Sequence, residues 1–95
     1  MQTDLNIRVL TDDFLQRLAT MNHVSRQLRR LGYRVRDEQD ATITLDLDTH
    51  PLQRKRRRQH LLRLGRGCLI TTLSDGSKRY LTHVCGVDVT WREAA

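Results

Sequence analysis

The sequence predicts a small α+β domain, a two-layer sandwich in which helices cover one face of an antiparallel-rich sheet. One long stretch places apolar residues at three- and four-residue spacing, which is typical of an amphipathic helix. Several short stretches alternate apolar and polar residues, which is typical of half-buried strands. The length of 95 residues allows a single domain, 1–95, with one modest core. Neither a secretory signal nor a membrane span is predicted.

The amino-terminal third predicts a strand followed by a long helix. Leu5, Ile7 and Val9 alternate with polar residues, which indicates a short strand. Thr11 has the side chain of a helix N-cap, and Gly32 suits the C′ position beyond the last turn. The helix between them is expected to pack its apolar stripe against the core. The stripe consists of Phe14, Leu15, Leu18, Met21, Leu28 and Leu31.

Residues 33–47 predict a hairpin with one apolar face. Apolar and polar residues alternate on both sides of the acidic run 37–40, which is expected to reverse the chain. Asp46 and Asp48 share the polar face of the second strand. Alternating acids are ordinary on a solvated strand face, so no metal site is predicted there.

The pair Asp75-Gly76 predicts the turn of a carboxyl-terminal hairpin. A turn that ends in a glycine bulge sets Leu81 opposite Leu69. The far strand is interpreted as one long strand, and its buried face is expected to hold Leu81, His83, Cys85, Val87, Val89 and Trp91. The opposite face is then uncovered but apolar, which suits a protein interface or an oligomer contact. Its interface residues are predicted to be Ile70, Tyr80 and Val84.

The expected element order is therefore β-α-β-β-(α)-β-β. The bracketed helix is short and basic. With the first strand and the basic helix both present, the simplest topology is a ferredoxin-like core with an added strand.

Positive charge is concentrated in one segment of the chain. Residues 49–74 carry seven Lys or Arg and no acid, so this segment has a charge of +7 when the whole protein has +6. Thr49 is expected to cap a short helix whose first turn contains Pro51. The carboxyl end of this helix is expected to be anchored to the core by Leu61, Leu62 and Leu64. The basic segment, residues 50–66, is predicted to stay mobile until a polyanion neutralises its charge.

The basic segment favours binding of nucleic acid, either DNA or RNA. A dense basic strip releases counterions from a polyanion, which supplies affinity with weak sequence specificity. The predicted phosphate contacts come from Arg54, Lys55, Arg56, Arg57, Arg58, Arg63 and Arg66. The alternative is an adaptor or inhibitor that docks the same strip on an acidic protein surface, with the apolar sheet face at the centre of the interface.

Catalysis is not predicted. The chain has no P-loop, no GxGxxG and no GxSxG, and its histidines and cysteines lack the spacing of a zinc site. We therefore predict no catalytic residue, no metal and no cofactor. Two cysteines without a secretion signal predict reduced thiols in a cytoplasmic protein.

Overall fold

The computed structural model describes the backbone of residues 2–47 and 50–94 and the side chains of residues 15–47 and 50–94. Within these ranges two helices lie over one face of a five-stranded sheet, which confirms the predicted small α+β class. The strand order is β1-β2-β5-β4-β3, and only the central pair β2–β5 is parallel. The elements are α1 (Gln2–Arg30), β1 (Arg34–Gln39), β2 (Thr42–Asp46), α2 (Pro51–Leu64), β3 (Arg66–Thr72), β4 (Lys78–Val84) and β5 (Val87–Glu93).

The amino-terminal segment is helical, so the predicted first strand at Leu5, Ile7 and Val9 is wrong. The backbone of α1 is continuous from Gln2, and Thr11 lies inside the helix rather than at its cap. Alternation over only five residues does not separate a short strand from the start of a long helix. The observed order is therefore α-β-β-α-β-β-β.

The carboxyl end of α1 agrees with the prediction. Gly32 has φ +91, the left-handed conformation that favours glycine. The Gly32 N–H donates to the carbonyl of Arg29 at 3.0 Å, and the Tyr33 N–H donates to that of Leu28 at 2.9 Å. This pair of bonds is a Schellman motif, and it turns the chain directly into β1.

The predicted register of the carboxyl-terminal hairpin, formed by β3 and β4, is confirmed, since Leu69 pairs with Leu81. The predicted buried face is confirmed only in part: Val87, Val89 and Trp91 are buried, whereas Leu81 is half-buried and His83 and Cys85 are exposed. The reason is that the far strand reverses at Cys85 and Gly86 and forms two strands. These two residues have φ 50 and φ 79, and Val84 pairs with Val87 across the turn. A two-residue turn of this kind joins tightly paired strands.

The turn at Cys85 also sets which face of each strand is buried. Because Val84 pairs with Val87, the even-numbered residues of β4 share a face with the odd-numbered residues of β5. Both helices cover that face. Tyr80 and Thr82 are consequently buried, whereas Leu69 on the uncovered face is 60% exposed.

The core lies between this face and the helices. The buried apolar residues are Met21, Val24 and Leu28 from α1, Tyr33, Ile43 and Leu45 from the first hairpin, Leu61 from α2, and Tyr80, Val87, Val89 and Trp91 from β4 and β5. No helix among the described residues is long and apolar enough to cross a membrane. Asp48 and Thr49, for which we predicted a solvated strand position and a helix cap, lie outside the described residues.

Gly65 provides a direct test of the packing between α2 and the sheet. Its backbone is extended, with φ −91, so alanine suits the conformation. However, a Cβ atom at this position would lie 2.0 Å from Oγ1 of Thr82, which is fully buried. Gly65→Ala is expected to lower the free energy of unfolding by about 1–3 kcal/mol, as overpacked cores do. Urea denaturation measures this loss.

A double-mutant cycle supplies the control. Thr82→Ala removes Oγ1 and Cγ2, the two atoms nearest to the new methyl group, and keeps only Cβ at 3.0 Å, so Gly65→Ala should cost less in the Thr82→Ala background than alone. Additive losses in the two single variants and the double variant would contradict the packing described here.

Candidate nucleic-acid interface

The basic segment forms the continuous helix α2. Pro51 occupies its first turn, where the missing N–H needs no partner, and the Gly65 N–H donates to the carbonyl of Leu61 at 2.9 Å at its end. Leu61 is fully buried and Leu62 packs against the core, whereas Leu64 is 42% exposed. Two of the three predicted anchors therefore hold the helix. The mobility of residues 50–66 stays a prediction.

The charged side chains of α2 divide into two rows. Arg54, Arg57 and Arg58 lie seven, four and three residues before Leu61, so they share the face of the helix that meets the sheet. We call these three arginines the inner row. Their neighbours Lys55 and Arg56 lie on the other side of the helix.

Two arginines of the inner row bind one buried carboxylate, that of Glu93 in β5. Nη1 of Arg58 lies 2.9 Å from Oε1 of Glu93, and Nε of Arg54 lies 3.4 Å from the same oxygen. The indole N–H of Trp91 donates to the other oxygen at 3.1 Å. Glu93 is only 5% exposed, so both of its oxygens are satisfied by protein groups rather than by bulk water. This cluster fastens α2 to the central strand of the sheet.

The third arginine of the inner row joins α2 to the end of α1. Nη1 of Arg57 donates to the carbonyl of Leu31 at 2.8 Å, and its guanidinium lies 4.8 Å from the centre of the Tyr33 ring. The Tyr33 hydroxyl is 2.6 Å from Nδ1 of His60. Burial raises the pKa of Tyr33 above its usual value, although the nearby Arg57 charge opposes the shift.

The other four predicted phosphate ligands point away from the core. Lys55, Arg56, Arg63 and Arg66 are all exposed, and no ion pair with them occurs among residues 15–47 and 50–94. We call these four residues the outer row. Charge alone does not distinguish the seven cations. The helical spacing of the inner row relative to Leu61 was the signal in the sequence that separates these three arginines from the other four cations.

A cleft of about 460 Å³ opens between the end of α1 and the first half of α2. Its polar groups include the guanidinium groups of Arg56 and Arg57, which suit an anionic oxygen ligand. The cleft is lined by Leu31, Tyr33, Gln53, Arg56, Arg57 and His60. The last turn of α1 contains the exposed Arg29 and Arg30.

The three predicted protein-interface residues do not form one exposed patch. Ile70 is 52% exposed on the edge strand, whereas Val84 packs partly against the core. Tyr80 is only 7% exposed, because it lies beneath α2 and stacks on Trp91 with ring centres 5.4 Å apart. The prediction that the face around Tyr80 is uncovered is therefore wrong, since both helices cover it.

Other kinds of site find little support in the described residues. No group of three His, Cys, Asp or Glu side chains among them is arranged to hold a metal ion. Asp46 instead lies 3.8 Å from Arg36 on the uncovered face of the sheet. Comparison with protein-family models, with curated proteins and with solved structures finds no match to this chain.

The Glu93 cluster predicts a measurable loss of stability. Glu93→Gln removes the charge that two arginines share, so the free energy of unfolding should fall by about 2 kcal/mol, as for other hydrogen bonds to charged groups. Asp46→Asn is the matched control, since it breaks an ion pair whose side chains are 49% and 70% exposed. That change should cost less than about 0.5 kcal/mol. Equal losses in urea denaturation would contradict an anchoring role for Glu93.

Proposed function

We propose that this protein is a small basic nucleic-acid-binding accessory or regulatory protein that contacts phosphates through the outer row, which lies on α2 except for Arg66 at the start of β3. The observation that carries the proposal is the division of α2 into two rows. The inner row is used in internal contacts, so the four cations of the outer row face solvent without ion-pair partners among the described residues. Cations without an internal ion pair bind a polyanion at the lowest cost in free energy, because no contact within the protein has to break first.

The anchoring of α2 supports a preorganised surface. In place of the mobile segment predicted from the sequence, we propose a fixed helix: Glu93 holds α2 against the sheet, and the carbonyl of Leu31 joins it to the end of α1. These contacts fix the spacing of the outer-row residues on α2 before any ligand arrives. A fixed row loses less side-chain and backbone entropy on binding than a disordered arm does. Arginine also donates two parallel hydrogen bonds to a phosphate, which suits Arg56 and Arg63 to this role.

Weak sequence specificity is part of the proposal. Arginine and lysine side chains that contact phosphates position a protein on nucleic acid but carry no information about base sequence. Within residues 51–59, the other exposed polar side chains are Gln53 and Gln59. Two such side chains are too few to specify a site of several base pairs. The cleft beside Arg56 adds a place for one more anionic group at the edge of the same surface.

We place the protein in the cytoplasm as part of the same proposal. Cys68 and Cys85 are both exposed and unpaired, which is consistent with a reducing compartment. Neither residue belongs to the proposed interface.

Fluorescence anisotropy with labelled duplex DNA, single-stranded DNA and structured RNA tests the proposal. The wild-type protein should bind at least one of these ligands at sub-micromolar concentration in low salt. With four phosphate contacts from the outer row, the logarithm of the binding constant should fall against the logarithm of salt concentration with a slope of about −3.6 for duplex DNA and about −2.8 for single-stranded DNA. Substituting alanine for Lys55, Arg56, Arg63 and Arg66 should abolish binding.

A second variant of equal charge separates a local site from general basicity. Substituting alanine for four exposed arginines elsewhere, Arg17, Arg26, Arg36 and Arg79, also lowers the net charge from +6 to +2. This variant should keep most of the affinity, because its α2 surface is intact. Failure of all three ligands at low salt would overturn the proposal and favour an acidic protein surface as the partner. Equal losses in both variants would show that net charge rather than α2 supplies the binding.

A further inference from the structure

The two edges of the sheet differ sharply in chemistry. β1, at one edge, contains four charged residues within Arg34–Gln39, and its register shifts between Val35 and Asp37. Charge and a bulge are common devices by which proteins keep an edge strand from pairing with another chain. This edge is therefore protected.

β3, at the other edge, lacks most of this protection. Its single charge is Arg66 at the first position, and its one register shift lies between Arg66 and Leu69. From Cys68 to Thr72 the strand is uncharged, contains no proline and is rich in residues with a high propensity for strands. Every residue of β3 is exposed, including Leu69 at 60% and Ile70 at 52%.

We propose that β3 is a self-association surface, at which two copies of the chain pair their β3 strands in antiparallel fashion and join their sheets into one of ten strands. The backbone N–H and C=O groups on the outer side of an edge strand are directed at such a partner. The hydrogen bonds supply affinity, and the side chains on either face set the register. This inference does not depend on the proposed binding of nucleic acid.

The side chains of β3 favour a second copy as the occupant. In an antiparallel pair, opposite residues lie on the same face of the sheet. In two identical regular strands related by a two-fold axis, residues on the same face have numbers that are both odd or both even, so the numbers of two opposite residues must add to an even sum. Centring the pair on Ile70 places Ile70 against its equivalent and Leu69 against Thr71 of the partner. Every pair in this register is apolar or β-branched, and no like charges oppose each other.

The fold also limits how far the pairing extends. The bulge that follows Arg66 ends the regular strand on one side, and the hairpin turn at Leu73–Ser77 ends it on the other. The free edge is thus as long as the regular part of β3 itself. Leu64, at the end of α2 that leads into β3, is 42% exposed and adds to the exposed apolar surface.

Sedimentation equilibrium over a wide concentration range tests the proposal. It should be run at high salt, which screens the repulsion between two copies of charge +6. Wild-type protein should approach twice its mass of 11.2 kDa, and both Ile70→Lys and Leu69→Lys should remain monomeric with an unchanged unfolding midpoint. Gln39→Lys on the opposite edge strand is the matched control and should dimerise normally.

Three outcomes would overturn the proposal. The first is a wild-type protein that stays monomeric at hundreds of micromolar. The second is a dimer that persists in Ile70→Lys. The third is a dimer that is lost in Leu15→Lys but not in Ile70→Lys, which would assign the contact to the exposed side chain of Leu15 on α1.

Disulfide trapping tests the register. With Cys68 and Cys85 replaced by serine, Ile70→Cys should cross-link two copies rapidly under mild oxidation, because residues at the two-fold centre of paired strands lie within disulfide reach. Thr71→Cys is the control and should cross-link slowly, since in this register it faces Leu69 rather than its own equivalent. Faster cross-linking through Thr71→Cys would overturn the Ile70-centred pairing.

Discussion

The carboxylate of Glu93 is the constraint on which the arrangement of the basic helix depends. A helix with five consecutive cations repels itself, and α2 offers few apolar groups for docking, since Leu61 is its one fully buried residue. A buried acid on the central strand satisfies two of those cations at once and is itself held by the indole of Trp91. Without such a counter-charge the same sequence has little reason to lie against the sheet.

Under the proposed function, this arrangement also lets one helix serve both stability and ligand binding. Charged residues at helical spacing with Leu61 become part of the packing, and those on the opposite side stay available to a ligand. The sheet therefore bears a basic surface whose geometry is set from beneath by Glu93, Tyr33 and the end of α1. The contacts of the inner row hold α2 in place, and the position of α2 in turn sets where its outer cations lie.

Much of the fold was accessible from the sequence, because strong local signals determine it. Gly32 marked the end of α1, Asp75-Gly76 fixed the register of β3 with β4, and Pro51 marked the start of α2. The failures came where a local pattern had two solutions. Residues 5–9 alternate like a strand, but the same residues fit the first turns of the long helix that follows. Around Cys85 the apolar alternation continues without a break through a two-residue turn, which lacks the usual Asn-Gly or Asp-Gly pair.

The location of the candidate site was predictable, but its internal division was not. Charge density along the chain identifies α2 by itself. The partners of Arg54 and Arg58 lie on β5, more than thirty residues away, and no local pattern specifies such a contact. Glu93 was accordingly missed. Only its spacing of two residues from Trp91 on the buried face hinted at a role.

The position of β5 has a consequence for how the chain folds. The hairpins β1–β2 and β3–β4 are local, but both are completed by a strand that follows them in sequence and lies between them in the sheet. The parallel pairing of Ile43 with Val89 spans 46 residues, and such distant pairings are slow to form because loop closure precedes any gain in contacts. We therefore expect the β1–β2 hairpin and the β3–β4–β5 meander to form first, and the sheet to be completed late, when β2 pairs with β5.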